Sequence, residues 1–413
     1  MKKLLQINPV IRRNTSTGKI MQEIGELAKQ NGWESYIAYS KGRDGAAPAA
    51  CKSQIVPVGS KLSIALHGLE TRLFDRHGLG SRLATRRFVK RIEEINPDII
   101  HIHNIHGYFL NYRILFDYLS KCGKPVIWTV HDCWLYTGHC YYYSAAGCDK
   151  WKSGCGNCPQ KMAFPSSLLF DRSARNYRDK AAAFNSIPKD KFLIVPVSEW
   201  IGGELKQSFL KECNIRVLHN GIDTEAFKPQ PTAAIREKYG LCDKHIILGL
   251  ASIWMKEKGL DDFIQLASML RDEEVLVLVG KMNPEQQARI PEGVVTIART
   301  ENVRQLAELY SAATAFVNPT WQDNYPTVNL ESIACGTPVI TYRTGGSIEA
   351  IVEGKTGYVV EQGDVHAIMQ RVRDIEQLGK AAFTTACRAF AEANFRKEDR
   401  YAEYIELYDR LCR

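Results

Sequence analysis

The sequence predicts an α/β protein built from two doubly wound parallel-sheet domains. Three observations point there. At 413 residues the chain exceeds the roughly 250–300 residues beyond which one core gives way to several domains. Short apolar runs alternate with helix-like segments over almost the whole length, and the runs are apolar on both faces, as parallel strands covered by helices must be. The alternation also falls into two series, parted by the proline-marked stretch Phe227-Lys228-Pro229-Gln230-Pro231-Thr232.

Taken in order, the first series offers strands near Lys3–Ile7, Ser35–Tyr39, Asp98–His103, Pro125–His131, Phe192–Ser198 and Ile215–His219. Between them run helical patterns at Gly18–Gln30, Arg82–Ile95 and Tyr112–Cys122. The second series repeats the scheme with strands at His245–Ser252, Val275–Val279, Val294–Ala298, Ala315–Asn318, Pro338–Tyr342 and Gly357–Val360. Its helices fall at Leu260–Leu270, Val303–Ala312, Thr327–Ala334 and Val365–Gln377. The expected domains are residues 1–228 and 229–413, with a terminal helix at about 396–413 packing back on the first. Ligands of open parallel sheets bind beyond the carboxyl ends of the strands, so two facing sheets would hold a cleft between their loops.

Apolar residues make up 45% and charged residues 24%, which excludes a disordered or fibrous chain. No stretch approaches the roughly 18 apolar residues of a membrane span. Met1-Lys2-Lys3 begins like a signal n-region, but Asn8-Pro9 ends the apolar run before an h-region forms. The expectation is a soluble cytoplasmic protein. Residues 1–200 hold 29 Lys and Arg against 16 Asp and Glu, a surplus of 13, while the remainder carries a deficit of 5. Such a split fits a first half that meets an anionic partner, membrane or nucleic acid, or else an uneven surface with no partner.

The motifs sit in the loops after strands. Thr344-Gly345-Gly346-Ser347 follows a strand and opens a helical turn, an arrangement that offers backbone N–H groups to an anion, or forms a tight turn with no ligand. Asp323 and Glu331 frame Asn324-Tyr325-Pro326-Thr327, with Asp323 in the loop and Glu331 in the helix. A loop carboxylate can accept sugar hydroxyls, and a helix carboxylate can hold a ribose diol. Lys258-Gly259 opens another helix, where a lysine can grip a diphosphate as a point charge.

Together Asn220-Gly221-Ile222-Asp223, Lys258-Gly259, Asp323-x7-Glu331, Gly336-Thr337-Pro338-Val339 and Gly345-Gly346-x2-Glu349 occur in an order that resembles the retaining GT-B glycosyltransferases of family 4. The likeness is to the bacterial exopolysaccharide and capsule type. It spans nearly all of the chain and is specific in the second half. The resemblance implies a hexosyltransferase moving a sugar from a nucleotide-sugar, UDP- or GDP-linked, to a polysaccharide or lipid-linked acceptor with retention and without a catalytic metal. By the same likeness Glu331 would hold the ribose and Lys258 the diphosphate, and Asp323 would meet the sugar. Asn324, Tyr325, Gly345 and Gly346 complete the expected donor site, and Gly18 would approach the diphosphate from the first domain. His131, which ends a strand, matches the family's histidine facing the donor sugar. Two departures stand out: Asp323 is an Asp where the family carries Glu, and Ile253 replaces the arginine expected five positions before Lys258.

His101, His103 and His106 cluster at one strand end, where lining the cleft is expected over metal binding. Of 12 cysteines, five lie between Cys133 and Cys158. Cys140, Cys148, Cys155 and Cys158 have a spacing that a structural zinc would satisfy, and that reduced, packed cysteines would satisfy as well. Arg82-x3-Arg86-Arg87-x2-Lys90-Arg91, interleaved with Leu83, Phe88, Val89 and Ile92, reads either as a helix binding the cytoplasmic membrane face peripherally or as a plain solvated face. Two rival classes remain: a sugar-nucleotide epimerase of the same architecture, and a zinc-containing nucleic-acid binder. The latter has no use for Asp323 and Glu331 and lacks a nucleic-acid motif, so no nucleic-acid partner is expected.

Overall fold

In a computed structural model the described residues are 1–13, 15–45 and 51–412. Asn14, in the loop ahead of Gly18, and Arg413, at the end of the expected terminal helix, lie outside them. The chain divides into two compact units, Met1–His219 with the segment from Tyr401 onward, and Asn220–Arg400.

The first unit is a seven-stranded sheet of β1 (Lys3–Ile7), β2 (Glu34–Ser40), β3 (Gln54–Val58), β4 (Ile99–Ile102), β5 (Val126–Val130), β6 (Phe192–Pro196) and β7 (Asn214–Ile215). The order is β3-β2-β1-β4-β5-β6-β7, and the pairings are parallel. Every residue of β4 and β5 is buried, the signature of a sheet covered on both faces. The edge strand β3 was not expected from the sequence. It carries Pro57, opposite Tyr39, and buries only Val56 and Val58, so its apolar signal is short and its proline is tolerable only at an edge.

Helix Ser16–Gln30 buries Ile20, Ile24 and Ala28 on one face against Leu4, Ile99 and Ile127. The helix starts two residues ahead of Gly18 rather than at it. The closing helix, Lys397–Leu411, adds Tyr401, Tyr404, Ile405, Leu407 and Tyr408 to that same core, with Trp33 and Tyr408 meeting edge-on at 5.7 Å. Each such side chain removes about 1.5–3 kcal/mol worth of apolar surface from water, which holds the end of the chain to the unit that contains its beginning.

The second unit has six strands: β8 (His245–Ile253), β9 (Glu274–Lys281), β10 (Val295–Ile297), β11 (Ala315–Asn318), β12 (Val339–Tyr342) and β13 (Gly357–Val360). Their order is β10-β9-β8-β11-β12-β13, again parallel. The division between units falls at Asn220, not at 228/229. Ile222 exchanges backbone hydrogen bonds with Phe395 (2.8 Å) and Lys397 (3.0 Å), and Phe227 meets Tyr310 at 6.3 Å, so 220–228 is tied into the second unit ahead of the prolines. In each sheet the strand order reverses once, at β1/β4 and at β8/β11, and such switch points are where doubly wound sheets bind ligands.

Candidate active site

The β8/β11 switch point brings together two residues 65 apart in the chain. Lys258, in the single turn Lys256–Lys258 after β8, donates from Nζ to Asp323 Oδ2 at 2.7 Å. Their loops are held to each other by backbone: Trp321 N donates to Glu257 O (2.8 Å) and Thr320 Oγ1 to the same carbonyl (3.2 Å). Gly259 closes the lysine turn with φ +75°, and a Cβ there would stand 2.3 Å from Pro319 O. Only glycine lets these loops approach so closely.

Asp262 fixes the same region from beneath. This buried carboxylate accepts from Trp321 Nε1 (2.8 Å) and from Tyr342 Oη (2.7 Å), joining the helix after β8 to the loop after β11 and the end of β12. Burial and the Asp262 contact together push the Tyr342 phenol up, so it stays protonated and keeps donating.

A second buried network seats the glycine pair. Asn318 Nδ2 donates to Asn329 Oδ1 (2.8 Å), and Asn329 Nδ2 donates to Ser347 O (3.1 Å). Thr341 and Ser347 hydroxyls are 2.6 Å apart. The turn Gly345–Ile348 is thereby registered against helix Thr327–Ala334, the helix carrying Glu331. Gly345 has φ +49°, so this position favours glycine. Tyr310 Oη donates to Glu331 Oε2 at 3.2 Å, which orients that carboxylate. Asn324 and Tyr325 are buried, walls of the loop rather than open contacts. Ile253, in the arginine position, is 59% exposed, and Lys256 is exposed as well.

In the first unit, Gly18 is buried in the first turn of its helix, and a Cβ there would lie 2.4 Å from Arg12 O. His101 and His103 are fully buried with rings 4.1 Å apart. They therefore belong to the interior, not to a lining, because polar partners are built around them. His101 bonds to Tyr408 Oη (2.6 Å) and Thr129 Oγ1 (2.7 Å). His103 Nε2 meets Gln6 Oε1 (3.0 Å), and its Nδ1 meets His131 Nε2 (3.2 Å). Burial lowers His131 to about 4, so it is neutral at pH 7. Gln6 spends its amide N–H on Met21 O, so it accepts from His103, and His103 in turn accepts from His131 Nε2–H. The chain of bonds leaves the unprotonated nitrogen of His131 at Nδ1. His106 pairs separately with Asp132 at 2.7 Å. Burial would raise Asp132, but the contacts with His106, the Trp134 backbone N–H and His131 together outweigh it and hold the carboxyl below its usual range.

The four cysteines expected as a zinc set line one small cavity of about 20 Å³ together with His139 and Trp151. Among the described residues, however, no group of three His, Cys, Asp or Glu side chains is arranged to hold a metal ion. Burial pushes the Cys140 thiol up to about 12 and Cys158 to about 11. Basic helix Arg82–Ile95 buries Phe88 (3% exposed) and Ile92 (0%), while Val89 is half-buried and Leu83 is 60% exposed.

Asp262, Asn329, Ser347 and Tyr310 were not singled out from the sequence. Each acts through a partner more than ten residues away, and no local spacing signals it.

The Glycosyltransferase Family 4 model matches residues 19–226, half of the chain, and the model for Glycosyl transferases group 1 matches residues 244–377. The chain belongs to glycosyltransferase family 4. This family 4 chain is 24% identical over 420 residues to an Escherichia coli (strain K12) protein named as a colanic acid biosynthesis glycosyl transferase, covering 99% of this chain and 100% of that one. It is 30% identical over 245 residues to the GDP-mannose-dependent alpha-(1-6)-phosphatidylinositol monomannoside mannosyltransferase of Mycolicibacterium smegmatis, covering 54% of this chain and 64% of that protein. Among solved structures, sucrose-phosphate synthase from Thermosynechococcus elongatus matches with TM-score 0.72 at 17% identity, over 100% of this chain and 99% of that one. Anabaena Alr3699/HepE in complex with UDP matches with TM-score 0.69 at 14% identity, over 99% and 100%. These likenesses bear out the GT-B fold of two Rossmann-like units. No helix among the described residues is long and apolar enough to cross a membrane.

Proposed function

We propose that this family 4 glycosyltransferase moves a hexose from a UDP- or GDP-sugar to a lipid-linked polysaccharide precursor, with retention of configuration. The observation that carries the reading is the Lys258–Asp323 pair at 2.7 Å over the β8/β11 switch point, beside a glycine turn seated by its own buried network. A cation and a carboxylate in contact suit a donor with an anionic diphosphate joined to a hydroxyl-rich sugar. On binding, Lys258 turns part of its charge to the diphosphate, and Asp323, released from full pairing, accepts sugar hydroxyls. Glu331, oriented by Tyr310, takes the ribose diol.

The bond from sugar C1 to the diphosphate oxygen breaks, the bond from C1 to the acceptor oxygen forms, and the acceptor proton passes to the leaving phosphate. Lys258 and the first N–H groups of the Gly345–Ile348 turn stabilise the charge on that leaving group, and such preorganised contacts contribute about 2.7–4 kcal/mol each to a transition state. His131, neutral with Nδ1 unprotonated, is proposed for a polar contact with the reacting sugar. No step calls for a metal. The names of the relatives, one for colanic acid biosynthesis, another for capsular polysaccharide, support the acceptor class. GDP-mannose in one name and UDP in a solved neighbour support both bases.

The test is a screen of UDP- and GDP-hexoses against purified lipid-linked precursor, reading release of nucleoside diphosphate. Release that requires the precursor is expected. Conversion of the donor to an isomer without any acceptor would instead mark an epimerase.

A further inference from the structure

Of the three histidines in line, His101 and His103 are fully buried, and His131, the first residue after β5, is half-buried. It stands at the carboxyl end of its sheet, where doubly wound sheets meet their ligands. There the position of one proton decides what the ring can do. A protonated ring nitrogen donates and an unprotonated one accepts; a neutral imidazole has one of each. The hydrogen bond at one nitrogen therefore settles the role of the other.

That hydrogen bond is set by a group that cannot change sides. A backbone carbonyl only accepts, so Gln6 turns its amide nitrogen to Met21 O (2.9 Å) and its oxygen to His103 Nε2 (3.0 Å). His103 is then protonated at Nε2 and accepts at Nδ1, where His131 Nε2 stands 3.2 Å away. The two rings lie near-parallel, at 17° with centroids 5.5 Å apart. His101 is not fixed in this way. Its partners are the hydroxyls of Tyr408 and Thr129, and a hydroxyl rotates to donate or to accept.

The fold keeps Gln6 in that orientation. It is fully buried on the interior strand β1, under helix Ser16–Gln30. A Cβ on Gly25 of that helix would lie 2.9 Å from Gln6 Nε2, so a glycine in mid-helix, otherwise unfavourable, makes room for the amide. Burial also takes His103 well below the usual histidine range, so its ring is neutral like that of His131.

We propose that Gln6 is a positioning residue for the transfer reaction: through His103 it fixes the proton of His131 on Nε2, so that Nδ1 accepts a hydrogen bond from a hydroxyl of the donor sugar. A substrate class follows. A sugar with a hydroxyl at that place is held, while a uronate, whose ionised carboxylate can only accept, is refused. The inference deepens the function proposed above and rests on it for the sugar. The chain of bonds from Met21 O to His131 is read without any transfer.

In the full chain with its ten histidines labelled with heavy nitrogen, long-range proton–nitrogen correlation reads the tautomer, and a His131→Gln variant identifies the His131 signals. The parent should carry the proton at Nε2. Gln6→Met leaves His103 Nε2–H with no acceptor, and an orphaned buried N–H is the rarer defect. The His103 proton should therefore move to Nδ1, and that of His131 to Nδ1 in turn. Gln6→Glu, which as a buried carboxylic acid offers an acceptor and a donor, should restore the parent state. With a UDP- or GDP-hexose, kcat of Gln6→Met should fall at least tenfold while UDP and GDP affinities hold, and Gln6→Glu should recover most of the loss. Gly25→Ala, whose methyl displaces the amide, provides the same reading should Gln6→Met fail to fold. A parent protonated at His131 Nδ1 overturns the inference, as does a proton that stays on Nε2 in Gln6→Met and Gly25→Ala. So does a proton that moves with kcat unchanged. A parent protonated at Nε2 that transfers no hexose from either nucleotide supports the bond chain and contradicts the proposed function instead.

Discussion

Lys258 Nζ and Asp323 Oδ2 lie 2.7 Å apart, so the cation that suits a diphosphate and the carboxylate that suits a sugar neutralise each other across the switch point of the second sheet. The pair keeps two partly buried charges compensated until an anionic donor competes for the lysine. Lys258→Ala should lower transfer by about 2–4 kcal/mol of transition-state stabilisation. Asp323→Ala should act mainly on turnover, and the double variant should lose less than the sum, since contacting residues couple by about 0.5–3 kcal/mol. Steady-state kinetics on the four proteins check this. Lys256→Ala should lose little, and a larger loss there than at Lys258 would reassign the lysine.

Gly259→Ala tests the loop packing beneath that pair. Its φ of +75° disfavours any side chain by about 1–2 kcal/mol, and the new methyl would meet Pro319 O at 2.3 Å. The expected result is a lower melting midpoint together with a transfer rate reduced more than tenfold, because the lysine turn must back away from Asp323. Unchanged kinetics would show that the close approach is not needed.

Acid stability follows from the histidines. Burial lowers His67 to about 4, His101 to about 3 and His131 to about 4, and takes His77 and His103 well down. The unfolded chain takes up protons near 6.5 that the folded chain refuses until about 4. The histidines' contribution to stability is therefore fully present above about pH 6.5 and is lost as pH falls, by up to about 1.4 kcal/mol per pH unit for each histidine. Glu204, raised to about 7 by burial, works in the opposite sense, but it is one group against five. All five histidines lie in the first unit. Melting curves should show its midpoint dropping steeply between pH 6.5 and 5; a flat profile would contradict the buried neutral state.

Thiol labelling separates the two readings of the cysteine cavity. Cys242 is exposed and should react first, while Cys140, Cys155 and Cys158, with thiols raised by burial, should react only as the first unit opens. Labelling of these three that is released by a chelator alone would mean a metal holds them.

The parallel sheets were legible because their strands are buried on both faces and read as unbroken apolar runs. The edge strand Gln54–Val58 was not, since Pro57 and two exposed positions hide it. Lys258, Asp323 and Glu331 were legible as charged residues at strand ends and helix starts. Asp262, Asn329, Ser347 and Tyr310 were not, because their roles exist only once β8, β11 and β12 are side by side. In the basic helix, Phe88 and Ile92 have the spacing of an apolar surface stripe, and only the packing reveals that they point into the core while Leu83 stays exposed. The stripe that does face solvent, Leu62-Leu66-Leu69, lies on a helix whose inward face is polar, an inversion that periodicity cannot distinguish from an ordinary amphipathic helix.

The claim that the donor sits at the β8/β11 switch point is tested most directly by calorimetric titration of UDP and GDP into the parent chain, Lys258→Ala and Glu331→Ala. One of the two nucleotides should bind the parent and bind each variant at least tenfold more weakly, with Tyr310→Phe intermediate because Glu331 loses its orienting hydrogen bond. Equal affinity across parent, Lys258→Ala and Glu331→Ala would contradict the account.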